Sequence, residues 1–519
     1  MNKLINQPIS KSFLLECDHN IPRLAIIESL LNTFHEHEIT YCHWKSNEHL
    51  EASLTGDTDL DILFDSNQNV KLMMLLVQLG FKNFKSVKQK QYKDIEDFIG
   101  LDLATGKVVH LHAHFRLTMG EVYLKGYQLD FEERILSNRV LDESLGIYCI
   151  DPNFELILLY FREALKLRHR DWLMMFFKNK VYNSGNTLRE YKWLKQKSNE
   201  AQVEAILKTI FKDHQPIFNL LLSGFNRKIL FKLSILIKKE FRGNKLYAPL
   251  TAMLLRWYRE VAVIVSKKLS QLVVWPIVSK RVNPRGGITI AVIGADGSGK
   301  STVIANLQDT FEQKLDVYKI YFGRGNGKMS WGRTMLYQTK KLLLPHRKNT
   351  PATAGKQPQG NTQQRGLLAG LYRCIEALLV AYEKHRNLKY MHKAKEKGML
   401  VICDRYPQNQ IMGYNDGPLL HYWATSHNPI FKAVAKLEAK VYAFAGNHPP
   451  DIVFKLVADA KVVEARKPGE TPLPLLTAKI AGVKQLTFAK PCKVVTVDAA
   501  QPLQQVLFTT KKEIWNLCP

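Results

Sequence analysis

Two groups of residues in this 519-residue chain have the types and spacing that chemistry requires. The first is Gly294, then after four residues Gly299-Lys300-Ser301. Glycines so spaced let backbone N–H groups curl round a phosphate, and a helix opening at Ser301 adds its partial positive charge. Lys300 is placed to reach the β- and γ-phosphates of a nucleoside triphosphate, and Ser301 to set its hydroxyl on Mg2+. An apolar strand signal at 288–293 precedes the loop and a helical signal follows it, the context this pattern needs. The sequence therefore predicts a site for ATP or another NTP formed by Gly294, Asp296, Gly297, Ser298, Gly299, Lys300, Ser301 and Thr302. A further buried strand, 399–403, runs into Asp404-Arg405, a carboxylate to assist the Mg2+ shell and a cation for a second phosphate group.

The second group lies near the other end. Asp59 and Asp61 alternate on a strand signal just after Gly56 and Asp57, so they share a face about 6–7 Å apart and can hold Mg2+. His110, His112 and His114 alternate on another strand. They are candidate metal or phosphate ligands, and equally ordinary imidazoles of a half-buried sheet.

Three regions must position these groups. In residues 1–150 helical and strand signals alternate, with a helix ended by Gly80 and two strands around the turn Ala104-Thr105-Gly106. Residues 151–285 read as a basic helical connecting region, closed by the linker Asn283-Pro284-Arg285-Gly286-Gly287. Residues 286–519 alternate strand and helix, which implies a parallel sheet with helices on both faces. Within them 346–365 is polar and aperiodic and reads as a surface loop. The fold class expected is α/β for the last region, α+β for the first, and helical between.

Charge separates the regions. The chain carries 74 Lys+Arg against 47 Asp+Glu, a net +27, yet residues 1–150 balance at −6 while 151–287 reach +16 and 288–519 reach +17. Such a surplus calls for an anionic partner: nucleotide, nucleic acid or an acidic membrane surface. Segments 227–245 and 256–285 mix Lys and Arg with Trp, Leu and Val. They fit peripheral binding to an anionic membrane, or a helical bridge with its apolar face packed inward, the reading favoured here. No clear nucleic-acid motif is present. With 46% apolar and 23% charged residues the composition excludes a wholly disordered or collagen-like chain. Seven cysteines without a C-x-x-C pair, no signal-peptide core and no long apolar span lead to the expectation of a soluble cytoplasmic protein.

The loop Gly294 to Thr302 together with Asp404-Arg405-Tyr406 resembles the thymidylate kinase family. So do segments 383–398, 449–467 and 493–515, in the same order, over about residues 286–516. The resemblance implies transfer of the γ-phosphoryl of ATP to a nucleoside monophosphate, dTMP by default, with Mg2+, as in dTDP biosynthesis. It further implies that Lys300 and Ser301 hold ATP and metal, and that Asp296 and Asp404 lie near the acceptor sugar or metal shell. Arg405 would bind the acceptor phosphate, and Arg466 on a lid would stabilise charge on the transferred group. A homodimer through sheet-covering helices is implied as well. The chain departs from the family at Phe322-Gly323-Arg324-Gly325, where Glu-Pro-Gly is usual, at Asn409 in place of Ser, and at Gly413-Tyr414-Asn415, displaced by one residue. These departures leave open a sugar or surface-polysaccharide-linked acceptor, and a nucleotide-dependent switch without transfer. In the first region the order Lys45-Ser46, short helix, Gly turn and acidic strand resembles the nucleotidyltransferase fold. His110 stands where its relatives carry a third carboxylate, so the fold is expected and two-metal nucleotidyl transfer is left open.

Overall fold

The computed structural model describes residues 23–168, 185–272, 274–323, 333–336, 338, 367–412 and 415–519. The loop at 346–365, residues 324–328 and the Gly413-Tyr414 step lie outside that set. The fold is mixed α/β, and its contacts divide the chain into two units. One comprises Met1–Phe81, Tyr92–Gly100 and Val109–Arg256, the other Lys82–Gln91, Leu101–Val108 and Trp257–Pro519.

In the first unit six strands matter: β1 (Tyr41–His43), β2 (Leu60–Phe64), β3 (Ile95–Leu101), β4 (Val108–His114), β5 (Val140–Asp142) and β6 (Ile147–Cys149). They run in the order β3-β4-β2-β1-β6-β5. β2 and β4 are parallel with Asp61 paired to His112, and β1 and β2 are antiparallel. One face is covered by the helix Ala25–Glu36, whose Ile27, Leu30, Leu31 and Phe34 repeat at helical spacing and meet Ile62, Phe64, Leu111 and Ala113. The other face takes the helix Pro152–Lys166. Asp151 caps it by accepting from the N–H groups of Asn153 and Phe154, and Pro152 opens it where no N–H is needed. That helix is buried nearly all round, in a core with Cys42, Trp44 and Leu63 and with the helices Glu200–Ile210, Gln215–Leu222 and Arg227–Glu240. The apolar stripe of the basic segment after residue 227 (Leu230, Leu233, Ile237) is thus buried against protein. Among the described residues no helix is long and apolar enough to cross a membrane.

The second unit is built on a parallel sheet of β7 (Ile288–Gly294), β8 (Val317–Tyr321), β9 (Leu400–Asp404), β10 (Ile452–Val457) and β11 (Lys493–Asp498). Its order is β8-β9-β7-β10-β11, every neighbour parallel. Parallel neighbours demand crossovers, supplied here by helices such as Lys300–Glu312, Leu367–Glu396 and Pro429–Asn447. Residues 288–293 of β7 are all buried, which explains why that strand reads as one apolar run without alternation. The chain leaves β7 where the strand order reverses, between β9 and β10, the place where open parallel sheets leave a crevice for ligands.

Candidate functional site

The phosphate loop begins at the end of β7. Gly297 and Gly299 adopt left-handed backbone, φ +86° and +89°, which turns successive N–H groups into the loop. Gly294 is needed for space: a Cβ there would stand 2.4 Å from Ser298 Oγ and 2.8 Å from the Leu456 carbonyl oxygen. Helix Lys300–Glu312 starts at the loop's exit, and Ser301 and Thr302 are exposed on its first turn. The Ser298 hydroxyl is buried with no hydrogen-bond partner among the described residues. Lys300 is buried and donates back to the loop, from Nζ to the carbonyl oxygens of Gly294 (3.0 Å) and Ala295 (2.6 Å). Burial, reinforced by the positive Arg405, lowers its pKa to about 8 despite nearby Asp296, Asp404 and Asp416.

Three cations converge on one carboxylate of this loop. Asp296 accepts from Arg405 Nη2 at 2.7 Å and from Lys479 Nζ at 3.2 Å, and Lys300 Nζ lies 3.9 Å away. Burial opposes ionisation of Asp296, but Arg405, Lys300 and Lys479 outweigh it and hold the pKa down at about 2. Arg405 also faces Asp416, with Nη1 3.4 Å from Oδ2. Asp404 ends β9 directly across from Val292 of β7. Burial raises its pKa against the pull of Arg405 and Lys300. Arg405 (φ +70°), Asn415 (+49°) and Asp416 (+64°) are all left-handed without being glycine. Strained backbone gathered round one guanidinium is a feature of built sites.

Of the sequence-derived residues, Asp296, Lys300 and Arg405 meet here and Asp404 lies within reach of their charge, but Arg466 does not join them. Arg466 is exposed and donates to the Ala499 carbonyl at 2.8 Å, while the following residue, Lys467, is the one beside Gly297. Lys479 and Asp416 escaped the sequence reading. Lys479 is one lysine among many, on the helix Leu473–Gln485, and nothing local marks it.

In the first unit the two sequence-predicted carboxylates turn to different histidines. Asp59 Oδ1 lies 3.0 Å from His110 Nδ1, and His110 Nε2 lies 2.8 Å from Asp97 Oδ1. His110 is fully buried between them. Asp97, from β3, is a carboxylate the sequence reading missed, and nothing local marks it. Asp61 Oδ1 instead gathers Lys45 Nζ at 3.0 Å, His112 Nδ1 at 2.8 Å and His114 Nε2 at 3.6 Å. Burial works against the charge on Asp61, but Lys45 and the two imidazoles hold its pKa well below the usual range. Burial lowers the pKa of both His112 and His114, against the pull of Asp61. Lys125 joins this neighbourhood, its pKa brought down to about 7 by burial and by Lys45.

No protein-family model matches the chain. It is similar to the uncharacterized ATP-binding protein YghS of Escherichia coli K12, 30% identical over 227 residues, 43% of this chain and 91% of that protein. It is also similar to the uncharacterized ATP-binding protein YghR, from strain K12 and from strain O6:H1, 26% identical over 230 residues, 43% of this chain and 86% of that protein.

Proposed function

Because the chain belongs to the family of the Escherichia coli ATP-binding protein YghS, we propose that it binds ATP at the Gly294–Thr302 loop and is a kinase. In this reading it transfers the γ-phosphoryl to a nucleoside monophosphate, with dTMP the first acceptor to test. One observation carries the reading: Lys300, Arg405 and Lys479 converge on Asp296, within the Gly294–Thr302 loop. Asp296 holds cations for which phosphate oxygens would compete. An arriving polyphosphate would draw the cations from Asp296, and the buried Ser298 hydroxyl would find the partner it lacks among the described residues.

The chemistry would be in-line displacement: an acceptor phosphate oxygen forms the new P–O bond as the bond to the ADP oxygen breaks. Lys300 would leave the Gly294 and Ala295 carbonyls to hold the β- and γ-oxygens, and Arg405 would grip the acceptor phosphate. Arg466 would join only by leaving the Ala499 carbonyl. A hydroxyl and a carboxyl, Ser301 and Asp404, are hard oxygen donors of the kind Mg2+ takes, and burial already disfavours a bare charge on Asp404. Bound there, Mg2+ would neutralise charge on the β- and γ-oxygens. The cytoplasm, which holds ATP and keeps thiols reduced, is the compartment proposed.

The test is ADP release by the purified chain with dTMP, dUMP, other monophosphates and sugar phosphates in parallel, with Lys300→Ala as the blank. Release that rises with a nucleoside monophosphate and disappears in the variant is the expected result. Release that rises only with a sugar phosphate would move the acceptor class. ATP hydrolysis that no acceptor alters would refute phosphotransfer in favour of a switch.

A further inference from the structure

The unit that lacks the phosphate loop holds a different kind of site. We propose that Asp61, His112 and His114 bind one divalent transition-metal ion of the Zn2+ or Co2+ type, with coordination positions left open to an incoming ligand.

The geometry comes first. Asp61 Oδ1, His112 Nδ1 and His114 Nε2 form a triangle with edges of 2.8, 3.3 and 3.6 Å. Donors bound tetrahedrally at about 2.0–2.1 Å from one metal lie about 3.3–3.4 Å from each other. The observed triangle needs only a few tenths of an ångström of adjustment to close on an ion. The backbone builds it: His112 and His114 are two residues apart on β4, hence on one face, and the parallel register pairs Asp61 with His112. The surroundings hold the donors in place. His114 is fully buried with its ring edge-on to Trp44 at 5.0 Å, while Asp61 and His112 keep 15% and 18% side-chain exposure, so an ion has a way in.

The donor set then selects the metal. Two imidazoles and one carboxylate suit Zn2+, Co2+, Mn2+ or Fe2+, whereas Mg2+ and Ca2+ take oxygen donors. Three protein ligands rather than four also mark a site with room for water or substrate. Asp59 is outside it, committed with Asp97 to His110. Lys45 supplies the remaining observation. Its ammonium sits 3.0 Å from the very oxygen a metal would take, so the empty site already carries a cation in that place. On metal binding Lys45 is displaced and becomes a positive group beside the ion, suited to an anionic ligand such as a phosphate ester.

The experiment uses the full chain, stripped with a chelator and titrated with Co2+, Zn2+ and, separately, Mg2+. The expected result is one Co2+ per chain with visible d–d absorption of a four- or five-coordinate ion, displaced by Zn2+ and untouched by millimolar Mg2+. His112→Gln, at the more exposed imidazole, weakens Co2+ by more than about a hundredfold, beyond what loss of an outer partner causes. Lys45→Met, which removes the competing cation and no ligand, tightens it by about tenfold or more. Absence of stoichiometric Co2+ or Zn2+ uptake overturns the proposal, as does uptake that His112→Gln leaves unchanged in a folded protein. Lys300→Ala should leave the metal titration as it is, so failure here and failure of the kinase reading are told apart.

Discussion

The Lys300 ammonium makes a quantitative prediction about nucleotide binding. In the free protein it is buried, tied to two carbonyl oxygens, and has a pKa of about 8. A bound triphosphate would restore its charge, so binding above that pKa must take up a proton. With the apo group at about 8 and the bound group well above it, affinity falls by the factor 1 + 10^(pH − 8). Between pH 7 and pH 9 this amounts to about tenfold, or about 1.4 kcal/mol. Proton uptake on binding rises over the same interval from about 0.1 to about 0.9. Titration calorimetry in buffers of different ionisation enthalpy reads both quantities at once, and the phosphates of ATP are themselves fully ionised over the upper part of this range. Lys300→Arg keeps its charge throughout, and its profile should be flat. Equal wild-type affinity at pH 7 and pH 9 with no proton uptake would refute both the burial argument and the assignment of Lys300 to the phosphates.

Gly294→Ala forces a Cβ against Ser298 Oγ and the Leu456 carbonyl, and should cost about 1–3 kcal/mol and abolish the rise in Tm that ATP gives; an unshifted Tm and intact ATP response would show that the loop has room. Asp296→Asn removes the carboxylate on which three cations lean. The drop from the ordinary 3.8 to about 2 corresponds to roughly 2.4 kcal/mol, about halved for its one-third exposure, so the apo protein should lose about 1 kcal/mol at pH 7. That contribution is present above pH 3.8 and is lost as pH falls through 2, and the same variant should bind inorganic triphosphate more tightly; unchanged stability and weaker triphosphate binding would contradict the reading. Burial raises Glu155 to about 7, with Glu190 adding to the shift and Asn47 opposing it. Between its ordinary 4.5 and about 7 the folded state holds a proton that the unfolded chain has released, so stability falls as pH rises through that window, by up to about 3 kcal/mol. Glu155→Gln, which keeps one of the two acceptor oxygens that face Asn47, should remove that slope in denaturant melts at pH 5 and pH 8.

The parts of both sites that could be read from the sequence are those carried by neighbouring residues. Nine consecutive positions, Gly294 to Thr302, make the phosphate loop, and a strand running into Asp404-Arg405 advertises its own end. Strand alternation likewise put His110, His112 and His114 on one face. What needed the fold was the sorting of partners over long separations. Asp61 takes His112 and His114 while Asp59 takes His110, because a cross-strand register decides it. Lys479 reaches Asp296 across 183 positions of sequence, and Asp97 reaches His110 from β3. Neither has a local signature, since a lysine on a helix and an aspartate on a strand are ordinary in isolation. The segment after residue 152 is helical and basic by its sequence. Its deep burial against the first unit's sheet depends on the apolar faces it meets, which composition does not reveal.

The pairing of Asp61 with His112 across two parallel strands also has an evolutionary side. Since side chains change face at every step along a strand, loss or gain of one codon between Gly56 and Asp61 would swing Asp61 to the face occupied by the Ala25–Glu36 helix. The histidines would stay where they are, facing an aliphatic residue. Such a lineage would lose the cluster in one event and could regain it only by a compensating change of length. Descendants of this chain should therefore vary freely in length at the outlying turns, while the short stretch leading into β2 keeps a fixed count of residues.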